Sequence, residues 1–375
     1  MSVFHVPLQR TIDDSYDIEI GQNLFQNLID DITSGLCGNF YRLAVITDSN
    51  VLPLYTQPLF TLLEKKDVNT SVFVIPAGEQ NKTRAVKAKI EDEMIEKHFG
   101  RDSAVIAIGG GVVTDLAGFL AGTFARGIPF VNYATTLLAA ADASVGGKTA
   151  VDTPHATNLI GLFHQPKKVY IDIDTWNTLP SREISSGLAE TVKHACMADQ
   201  EFFEYLENNI EKMFREHGGI DKKIAAHIAH KNCEIKYNVV KADEREQNYR
   251  QVLNLGHTVG RALETLAGFT LLHGEAVAVG LVVQCRLGKL FGYTSEDDLA
   301  RVKTLLARAG LPVKIPPGIK IDRLVEKLYT DKKVRKDTIR FVFQKNIGTM
   351  MQFDNELFSR PVAEAEIKSV LADSY

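Results

Sequence analysis

Residues 103–122 read SAVIAIGGGVVTDLAGFLAG, and this stretch decides the predicted fold. Its first six residues are apolar or small and suit a strand that is buried on both faces, as in a parallel sheet. Gly109, Gly110 and Gly111 follow directly, and the next residues, VVTDLAGFLAG, have a helical pattern. Glycines at such a turn let backbone N–H groups approach a phosphate at the helix N-terminus. The spacing is not GxGxxG, so a simple tight turn is the alternative.

The segments on both sides of this stretch alternate in the same way. Short apolar runs at residues 42–47, 70–75 and 167–175 predict further parallel strands separated by helices. After residue 179 helical patterns dominate, beginning with Ser181 as a predicted N-cap, and only residues 337–353 predict a small hairpin. We therefore expect an α/β N-terminal nucleotide-binding domain with a parallel sheet (1–178) and a mainly α-helical C-terminal domain (179–375). Ligands should bind in the cleft between them.

Composition narrows the class of protein. The 375 residues carry a formal net charge of −4, with 45% hydrophobic and 24% charged residues, so nothing favours nucleic acid or an anionic membrane globally. The four cysteines are scattered without a CxxC pair, which indicates reduced thiols. We see neither a secretion signal nor an apolar run of about 18 residues. The expectation is a cytoplasmic protein that binds neither nucleic acid nor membrane.

Charged residues stand at two places where a core would not choose them. In PAGEQNK (76–82), Glu79 and Lys82 follow a predicted strand and suit ribose hydroxyls, although a solvated turn explains them equally well. In residues 133–152, Asp142 and Lys148 lie among small residues. An unpaired buried charge is costly, so they either form a salt bridge with each other or contact a ligand, Lys148 an anion and Asp142 a hydroxyl.

Three residues that are far apart in sequence suit one metal ion. His257 and His273 each adjoin a glycine on separate predicted helices, and Glu190 lies in SSGLAETVKHA (185–195). Two histidines and one glutamate form a common catalytic zinc set with an open position. A lone helix histidine is usually structural, and a surface ion pair with Lys193 is the alternative for Glu190. His194 is expected to be exposed or to lie beside a ligand.

Cations cluster around the same set. Arg250, Asn254, His257 and Arg261 are spaced by four, three and four residues, which predicts one stripe of a helix. A cation beside a neutral metal ligand is unhelpful unless an anion lies between them. Together with Lys236, the arginines therefore indicate a doubly anionic substrate, since arginine suits bidentate contact with a carboxylate or a phosphate.

Five blocks together resemble the 3-dehydroquinate synthase family of sugar phosphate cyclases, in the right order over nearly the whole chain. They are GGGVVTDLAGFLAGTFARGI, TTLLAAADASVGGKTAVD, TLPSREISSGLAETVKHA, LNLGHTVGRALE and LHGEAVAVG. The resemblance implies Zn²⁺ or Co²⁺ at Glu190, His257 and His273. It also implies NAD⁺ at a larger set: Asp48, Asn50, Gly78, Glu79, Lys82, Gly109, Gly110, Gly111, Asp115, Thr135, Thr136, Lys148, Thr157, Thr178 and Leu179.

The resemblance also implies the substrate pocket and a homodimer. Residues expected to act on the substrate are Asp142, Lys148, Lys193, Lys236, Arg250, Asn254 and Arg261. In the family, the counterparts of Arg250 and Lys236 meet the substrate carboxylate. Asn158, Lys332 and Lys333 are further expected to bind the substrate phosphate. For Lys332 and Lys333 the alternative is a solvated basic turn. Arg126 would reach the site of a neighbouring subunit.

The implied reaction converts 3-deoxy-D-arabino-heptulosonate 7-phosphate to 3-dehydroquinate and phosphate in the shikimate pathway. It comprises transient oxidation by NAD⁺, phosphate elimination, re-reduction and intramolecular aldol closure. The chain departs from the family pattern at Arg261, where histidine is usual, and at Thr157, where lysine is common. Ala134 and His194 likewise replace a usual proline and a common tyrosine.

These departures keep other functions open. One is a sister cyclase that acts on sedoheptulose 7-phosphate or another ketose phosphate. A second is a metal-dependent oxidoreductase of the glycerol dehydrogenase type. The cluster of Lys148, Lys236, Arg250 and Arg261 argues against this function. A third is a non-catalytic, ligand-sensing homologue, which the intact candidate metal ligands disfavour.

Overall fold

A computed structural model describes residues 2–9, 11–154, 156–214, 219–329 and 338–375. The strands in this part of the chain are β1 (Asp17–Gly21), β2 (Arg42–Asp48), β3 (Thr70–Ile75), β4 (Ser103–Gly109), β5 (Phe130–Ala134), β6 (Lys148–Val151), β7 (Ile160–Phe163), β8 (Lys168–Asp172), β9 (Arg340–Val342), β10 (Gln344–Asn346), β11 (Thr349–Met350) and β12 (Ser359–Pro361).

The α-helices of the described residues are α1 (Phe25–Thr33), α2 (Gln57–Glu64), α3 (Arg84–Glu96), α4 (Gly111–Thr123), α5 (Ser181–Ala198), α6 (Gln200–Asn209), α7 (Lys222–Ala242), α8 (His257–Leu266), α9 (His273–Leu290), α10 (Glu296–Arg308), α11 (Ile321–Leu328) and α12 (Glu364–Ala372). The 3₁₀ helices include Ile173–Thr178 and Tyr249–Asn254. Among the described residues, none of the helices has the length and apolar character needed to cross a membrane.

Six parallel strands form the sheet, in the order β1-β8-β5-β4-β2-β3. Strand β4 shows why its sequence is apolar throughout. Ala104, Ile106 and Ile108 belong to the core that includes residues of α1 and α2, whereas Val105 and Ala107 belong to the core that includes residues of α3 and α4. A strand buried on both faces needs apolar residues at every position. The predicted fold class, a parallel α/β sheet followed by a mainly helical part, is confirmed.

Several local features differ from the sequence-based expectation. Strand β1 at one edge of the sheet and the antiparallel ribbon of β6 and β7 were not predicted. Ser181 is the first helical residue of α5, and the N-cap is Pro180, so the predicted serine cap is wrong. The small hairpin is present as β10 and β11, while β9 pairs with β12.

The helical part packs directly against the sheet. Val169 and Ile171 of β8 lie in one buried cluster with Leu188 and Val192 of α5. The change from sheet to helices occurs between the end of β8 at Asp172 and the start of α5 at Ser181. One buried core contains residues from before and after position 178. The domain boundary between residues 178 and 179 therefore stays a prediction.

Candidate active site

The candidate nucleotide-binding residues lie at the carboxyl ends of parallel strands. Asp48 ends β2, the 76–82 loop follows β3, Gly109 ends β4, and Thr135 and Thr136 follow β5. Thr178 ends the 3₁₀ helix that follows β8. In the sheet, β3 lies on one side of β2 and β4 on the other, so the strand order reverses between β2 and β4. In open α/β sheets this switch point is the usual ligand crevice.

The glycine triplet lies at this crevice and is required for space. None of the three has a positive φ, so a tight left-handed turn is not the reason for glycine there. Gly110 is the N-cap of α4, and a Cβ on it would lie 3.1 Å from Thr136 Cγ2. A Cβ on Gly109 would lie 2.6 Å from Val113 Cγ2. The absence of side chains leaves the start of α4 open to a phosphate group.

Lys82 is buried among three carboxylates rather than solvated. Only 3% of it is exposed, and its Nζ lies 2.5 Å from Glu79, 3.2 Å from Asp115 and 3.9 Å from Asp152. Burial raises the pKa of Asp115 to about 6, although Lys82 opposes that rise. The solvated-turn alternative for Glu79 and Lys82 is therefore wrong for the lysine. A role of Glu79 and Lys82 at a ribose stays a prediction.

A cleft of about 300 Å³ adjoins this cluster on the side of the helical part. Its lining includes Asp115 and Asn158. It also includes every side chain expected to act on the substrate: Asp142, Lys148, Lys193, Lys236, Arg250, Asn254 and Arg261. With Arg245, six cations line the cleft, against the three carboxylates of Asp115, Asp142 and Glu246. The excess of positive charge suits an anionic ligand.

Asp142 and Lys148 do not pair with each other. Asp142 Oδ1 lies 2.6 Å from Lys236 Nζ, and Lys148 Nζ lies 2.5 Å from Glu246 Oε2. Burial alone would raise the pKa of Asp142, but Lys236 and Lys193 hold it well below its ordinary value. Burial lowers the pKa of Lys236. The salt-bridge alternative for Asp142 and Lys148 is wrong, and both charges face the cleft.

The predicted helical stripe from Arg250 to Arg261 is interrupted. Arg250 and Asn254 lie in the 3₁₀ helix Tyr249–Asn254, and α8 begins only at His257, because Gly256 adopts φ +78. All four side chains of the stripe nevertheless line the same cleft. The buried Arg250 guanidinium donates to the carbonyls of Glu244 and Gly146. Arg250 Nε and Arg261 Nε and Nη1 are buried without a hydrogen-bond partner in the part of the chain that is described.

Glu190, His257 and His273 converge with the spacing of metal ligands. The Nε2 atoms of His257 and His273 each lie 3.5 Å from Glu190 Oε1, and their rings are 5.3 Å apart. A tetrahedral Zn²⁺ site with bonds of about 2.1 Å has neighbouring ligand atoms about 3.4 Å apart. Neither Glu190 oxygen accepts a hydrogen bond from the described residues, although Lys193 forms an ion pair with it. The residues fit a divalent cation.

The electrostatics of this set also favour a cation. Burial, assisted by Lys193 and Arg261, holds the pKa of His257 well below its ordinary value, so its imidazole is neutral. Burial would likewise lower the pKa of His273, but Glu264 and Glu190 raise it to about 10. Without a metal, these carboxylates thus keep a proton on His273. A divalent cation bound between the three ligands would take the place of that proton.

Helix α5 is more deeply buried than its sequence suggested. Glu190, Lys193 and His194 have no exposed surface, so the surface ion pair and the exposed histidine are both wrong. Asn232 Oδ1 lies 3.1 Å from His194 Nδ1, and Asn232 itself donates to Thr191. Burial lowers the pKa of His194 to about 4, which keeps it neutral. It lies beside Glu190 and Asp142, in keeping with the alternative position beside a ligand.

Other predicted residues lie away from the cleft. Arg126 is exposed on a loop outside it, and Asn50 is exposed beside Asp48, whose carboxylate accepts its backbone N–H. Thr178 Oγ1 lies 2.7 Å from Tyr55 Oη. Three predicted residues remain, and each is the chain neighbour of another predicted residue. Gly78 adjoins Glu79, Thr157 adjoins Asn158, and Leu179 adjoins Thr178. Lys332 and Lys333 lie outside the described residues.

Sequence reasoning missed three carboxylates at or near the site. Glu246 contacts Lys148 and accepts a hydrogen bond from Asn254 Nδ2 at 2.8 Å. Asp152 accepts the backbone N–H of Asn158 at 2.7 Å, and Glu264 lies 3.4 Å from His273 Nδ1. Glu246 stands in the charged run DERE, which reads as a solvated loop. Its positive φ of 57° could not be read from the sequence.

The fold is that of sugar phosphate cyclases of known structure. The chain matches ValA, a 2-epi-5-epi-valiolone synthase from Streptomyces hygroscopicus subsp. jinggangensis solved with NAD⁺ and Zn²⁺ bound, over 99% of both chains with a TM-score of 0.86 and 26% identity. A 2-deoxy-scyllo-inosose synthase complexed with carbaglucose-6-phosphate, NAD⁺ and Co²⁺ matches over 96% of both chains with a TM-score of 0.84. At 23% identity it shows the shared fold alone.

Within this class, the chain belongs to the 3-dehydroquinate synthase family. Residues 72–186 match the family's N-terminal profile, 3-dehydroquinate synthase N-terminal, and residues 187–334 match 3-dehydroquinate synthase C-terminal. The 3-dehydroquinate synthase of Pelobacter propionicus is 44% identical over 342 residues, which cover 88% of this chain and 93% of the relative. The resemblance read from the five sequence blocks is confirmed.

Proposed function

We propose that this enzyme converts 3-deoxy-D-arabino-heptulosonate 7-phosphate to 3-dehydroquinate and phosphate, a carbon–oxygen lyase step of the shikimate pathway and of aromatic amino acid biosynthesis. The observation that carries the proposal is the cleft. Six cations line it beside the convergent Glu190, His257 and His273, in a chain that is 44% identical to a 3-dehydroquinate synthase. A substrate with a carboxylate and a phosphate matches this excess of positive charge.

NAD⁺ and one divalent metal, Zn²⁺ or Co²⁺, are the proposed cofactors. ValA, which shares the fold, was solved with NAD⁺ and Zn²⁺. Glu190, His257 and His273 would hold the metal, and the strand ends around Gly110 and Lys82 would hold the nucleotide. When bound, the two groups supply reversible hydride transfer and polarisation of a substrate hydroxyl.

The chain's own cations are proposed to fix both ends of the substrate. Arg250 and Lys236 would bind the carboxylate, since Arg250 is already held by two backbone carbonyls and retains an unpaired Nε. The phosphate would be met by Arg261, Lys148, Asn158 and Asn254, with Lys332 and Lys333 as further proposed contacts. Holding both anionic ends keeps the open-chain ketone and enol close enough for ring closure.

Asp142 and Lys193 are proposed to hold substrate hydroxyls. The low pKa of Asp142 makes it an acceptor throughout the neutral range, and Lys193 is a donor beside the metal set. Asp115, a cleft carboxylate whose pKa burial raises to about 6, is already paired with Lys82 and is not free to act as the base. The phosphate oxygens of the substrate would therefore take up the proton during elimination.

We further propose a cytoplasmic homodimer. All four cysteines are buried and free, as expected in a reducing compartment. Arg126 is exposed, and the backbone there is strained. Ala125 and Arg126 both have a positive φ, at 49° and 74°. Such strain costs of order 1–3 kcal/mol per residue and is concentrated at functional positions. Reaching into the site of a second subunit would account for it.

The test measures phosphate release with two substrates in the presence of NAD⁺ and Zn²⁺ or Co²⁺. We expect release with the keto acid phosphate and little with sedoheptulose 7-phosphate; the opposite result would identify a sister cyclase and overturn the proposal. A polyol that yields accumulating NADH would indicate a dehydrogenase instead.

The variant Arg250→Ala sharpens this test. Loss of one charged hydrogen-bonding partner, about 1.5–3 kcal/mol, should lower kcat/KM for the keto acid phosphate about 10- to 150-fold. Residual turnover of sedoheptulose 7-phosphate, which has no carboxylate, should change far less. An equal loss for both substrates would mean structural damage and would remove the carboxylate argument.

A further inference from the structure

Glu264 is a buried carboxylate with no role in the proposed reaction. It lies on α8 with 5% of its surface exposed, and its Oε2 lies 3.4 Å from His273 Nδ1. We propose that Glu264 is a positioning residue of the metal site: it accepts the Nδ1–H of His273 and thereby orients the ring so that Nε2, directed at Glu190, is the nitrogen that binds the metal. The inference rests on the proposed function, because it concerns the metal that the proposed reaction uses.

The two candidate histidine ligands are held in the same way by different groups. His257 Nδ1 lies 3.1 Å from the carbonyl oxygen of Leu255, and His273 Nδ1 faces Glu264. In both rings Nδ1 faces an oxygen that can only accept a hydrogen bond, so Nδ1 carries a proton. Both Nε2 atoms lie 3.5 Å from Glu190 Oε1, where each can bind the metal once the metal replaces the second proton of His273.

The position of Glu264 on its helix follows from the sequence. It comes seven residues, two helical turns, after His257, so both side chains lie on one face of α8. His273 is the first residue of α9, which packs against that face. Arg261 is one turn away on α8 but forms no ion pair with Glu264 in the described structure. A buried carboxylate needs a partner, and the imidazole of His273 is the one the structure provides.

A carboxylate that accepts from a metal-bound imidazole does two things. It fixes the ring orientation and makes the ligand nitrogen more basic, and removing such a partner commonly weakens metal binding about 10- to 100-fold. The backbone carbonyl behind His257 carries no charge.

The experiment measures the affinity of the full-length, metal-stripped protein for Zn²⁺ by competition with a chelator, and the visible absorption of the Co²⁺ form. The variants are Glu264→Gln, which keeps an acceptor oxygen without charge, and Glu264→Leu, which keeps neither. The matched control is Glu275→Gln. Glu275 caps the same helix end beside His273 through the Leu272 N–H and contacts Arg182, but it does not touch the ring.

We expect Zn²⁺ affinity to fall about tenfold in Glu264→Gln and about 100-fold in Glu264→Leu, with altered Co²⁺ bands that report changed ligand geometry. Glu275→Gln should lower thermal stability and leave affinity within about threefold of wild type. Unchanged affinity in Glu264→Gln together with an unchanged Co²⁺ spectrum, or an equal loss in Glu275→Gln, would overturn the positioning role while leaving the proposed reaction intact. If His257→Ala binds Zn²⁺ as tightly as wild type, the metal site and the proposed function fail together.

Discussion

At position 261 the identity of one side chain should determine how phosphate binding depends on pH. The family usually has histidine at this position, and the side chain here lines the cleft with Nε and Nη1 free of hydrogen-bond partners in the described structure. Arginine keeps its charge at every accessible pH, whereas histidine loses it near neutrality. With arginine at position 261, the affinity for the phosphate group should therefore lack the pH dependence that a histidine would cause.

Arg261→His tests this expectation through inhibition by inorganic phosphate. The variant should bind phosphate nearly as well as wild type below about pH 6, where histidine is charged, and progressively less well as the pH rises through about 6.5. The measured quantity is the ratio of the two inhibition constants at each pH, which cancels the ionisation of phosphate itself. A ratio that does not vary between pH 5.5 and 8.5 would show that residue 261 does not contact the anion.

At the residue scale, the sequence was informative about which side chains lie together in the cleft and weak about their hydrogen-bond and ion-pair partners. Glu190, His257 and His273 could be proposed because their types suit one metal, and the structure brings them within 4.8 Å of one another. The pairing of Lys148 with Glu246 could not be proposed. It depends on a loop conformation with a positive φ at Glu246, which no local pattern encodes.

At the scale of elements, glycines set how closely the ligand-bearing helices approach. A Cβ on Gly280 of α9 would lie 1.9 Å from the carbonyl oxygen of Gly256, the residue before His257, and one on Gly274 would lie 1.9 Å from the Ser186 carbonyl of α5. Larger residues would push α8 and α5 away from α9. Because His257, His273 and Glu190 lie on these three helices, the metal set depends on this close packing.

Gly280→Ala should accordingly damage stability and metal binding together. The clash is with backbone rather than with a flexible side chain, so we expect the free energy of unfolding to fall by at least about 1–3 kcal/mol, as for overpacked cores. Zn²⁺ affinity should fall in parallel. Urea unfolding and chelator competition measure the two effects. Gly100→Ala, where the nearest atom would be a side-chain oxygen of Asp102 at 3.1 Å, is the control. If Gly280→Ala is destabilised but binds Zn²⁺ with normal affinity, the metal site does not depend on the close packing of these helices.

The elements themselves were partly predictable, for physical reasons. The buried strands around β4 and the amphipathic helices have patterns that burial on one or two faces imposes. The break between Arg250 and His257 was missed because the mixed spacing of four, three and four fits a helix, and only Gly256 signals its end. The ribbon of β6 (KTAV) and β7 (IGLF) was missed because neither strand alternates apolar and polar residues. Its existence depends on packing against α4.

For the whole molecule, the open question is whether one chain completes its own site. Arg126 is exposed, and its strained loop lies outside the cleft of its own chain. If a homodimer places Arg126 in the neighbouring cleft, each active site is shared between subunits, and a defect in Arg126 harms the partner's site rather than its own. A closed two-fold dimer would exchange this contact in both directions.

Mixed dimers of Arg126→Ala and His257→Ala distinguish the two arrangements. Each homodimer should be nearly inactive, since one lacks the reaching arginine and the other lacks a metal ligand. In a heterodimer isolated by two different tags, the Arg126→Ala chain contributes an intact metal set and receives Arg126 from its partner. One of the two sites is then complete, so activity should return to about half of wild type per dimer.

The control is a heterodimer of wild type with His257→Ala, which should show the same half activity because it also contains one complete site. If Arg126 instead serves its own chain, the mixed dimer of the two variants has no complete site and stays inactive while the control is active. A wild-type protein that is monomeric at the concentrations of the assay would equally exclude a shared site.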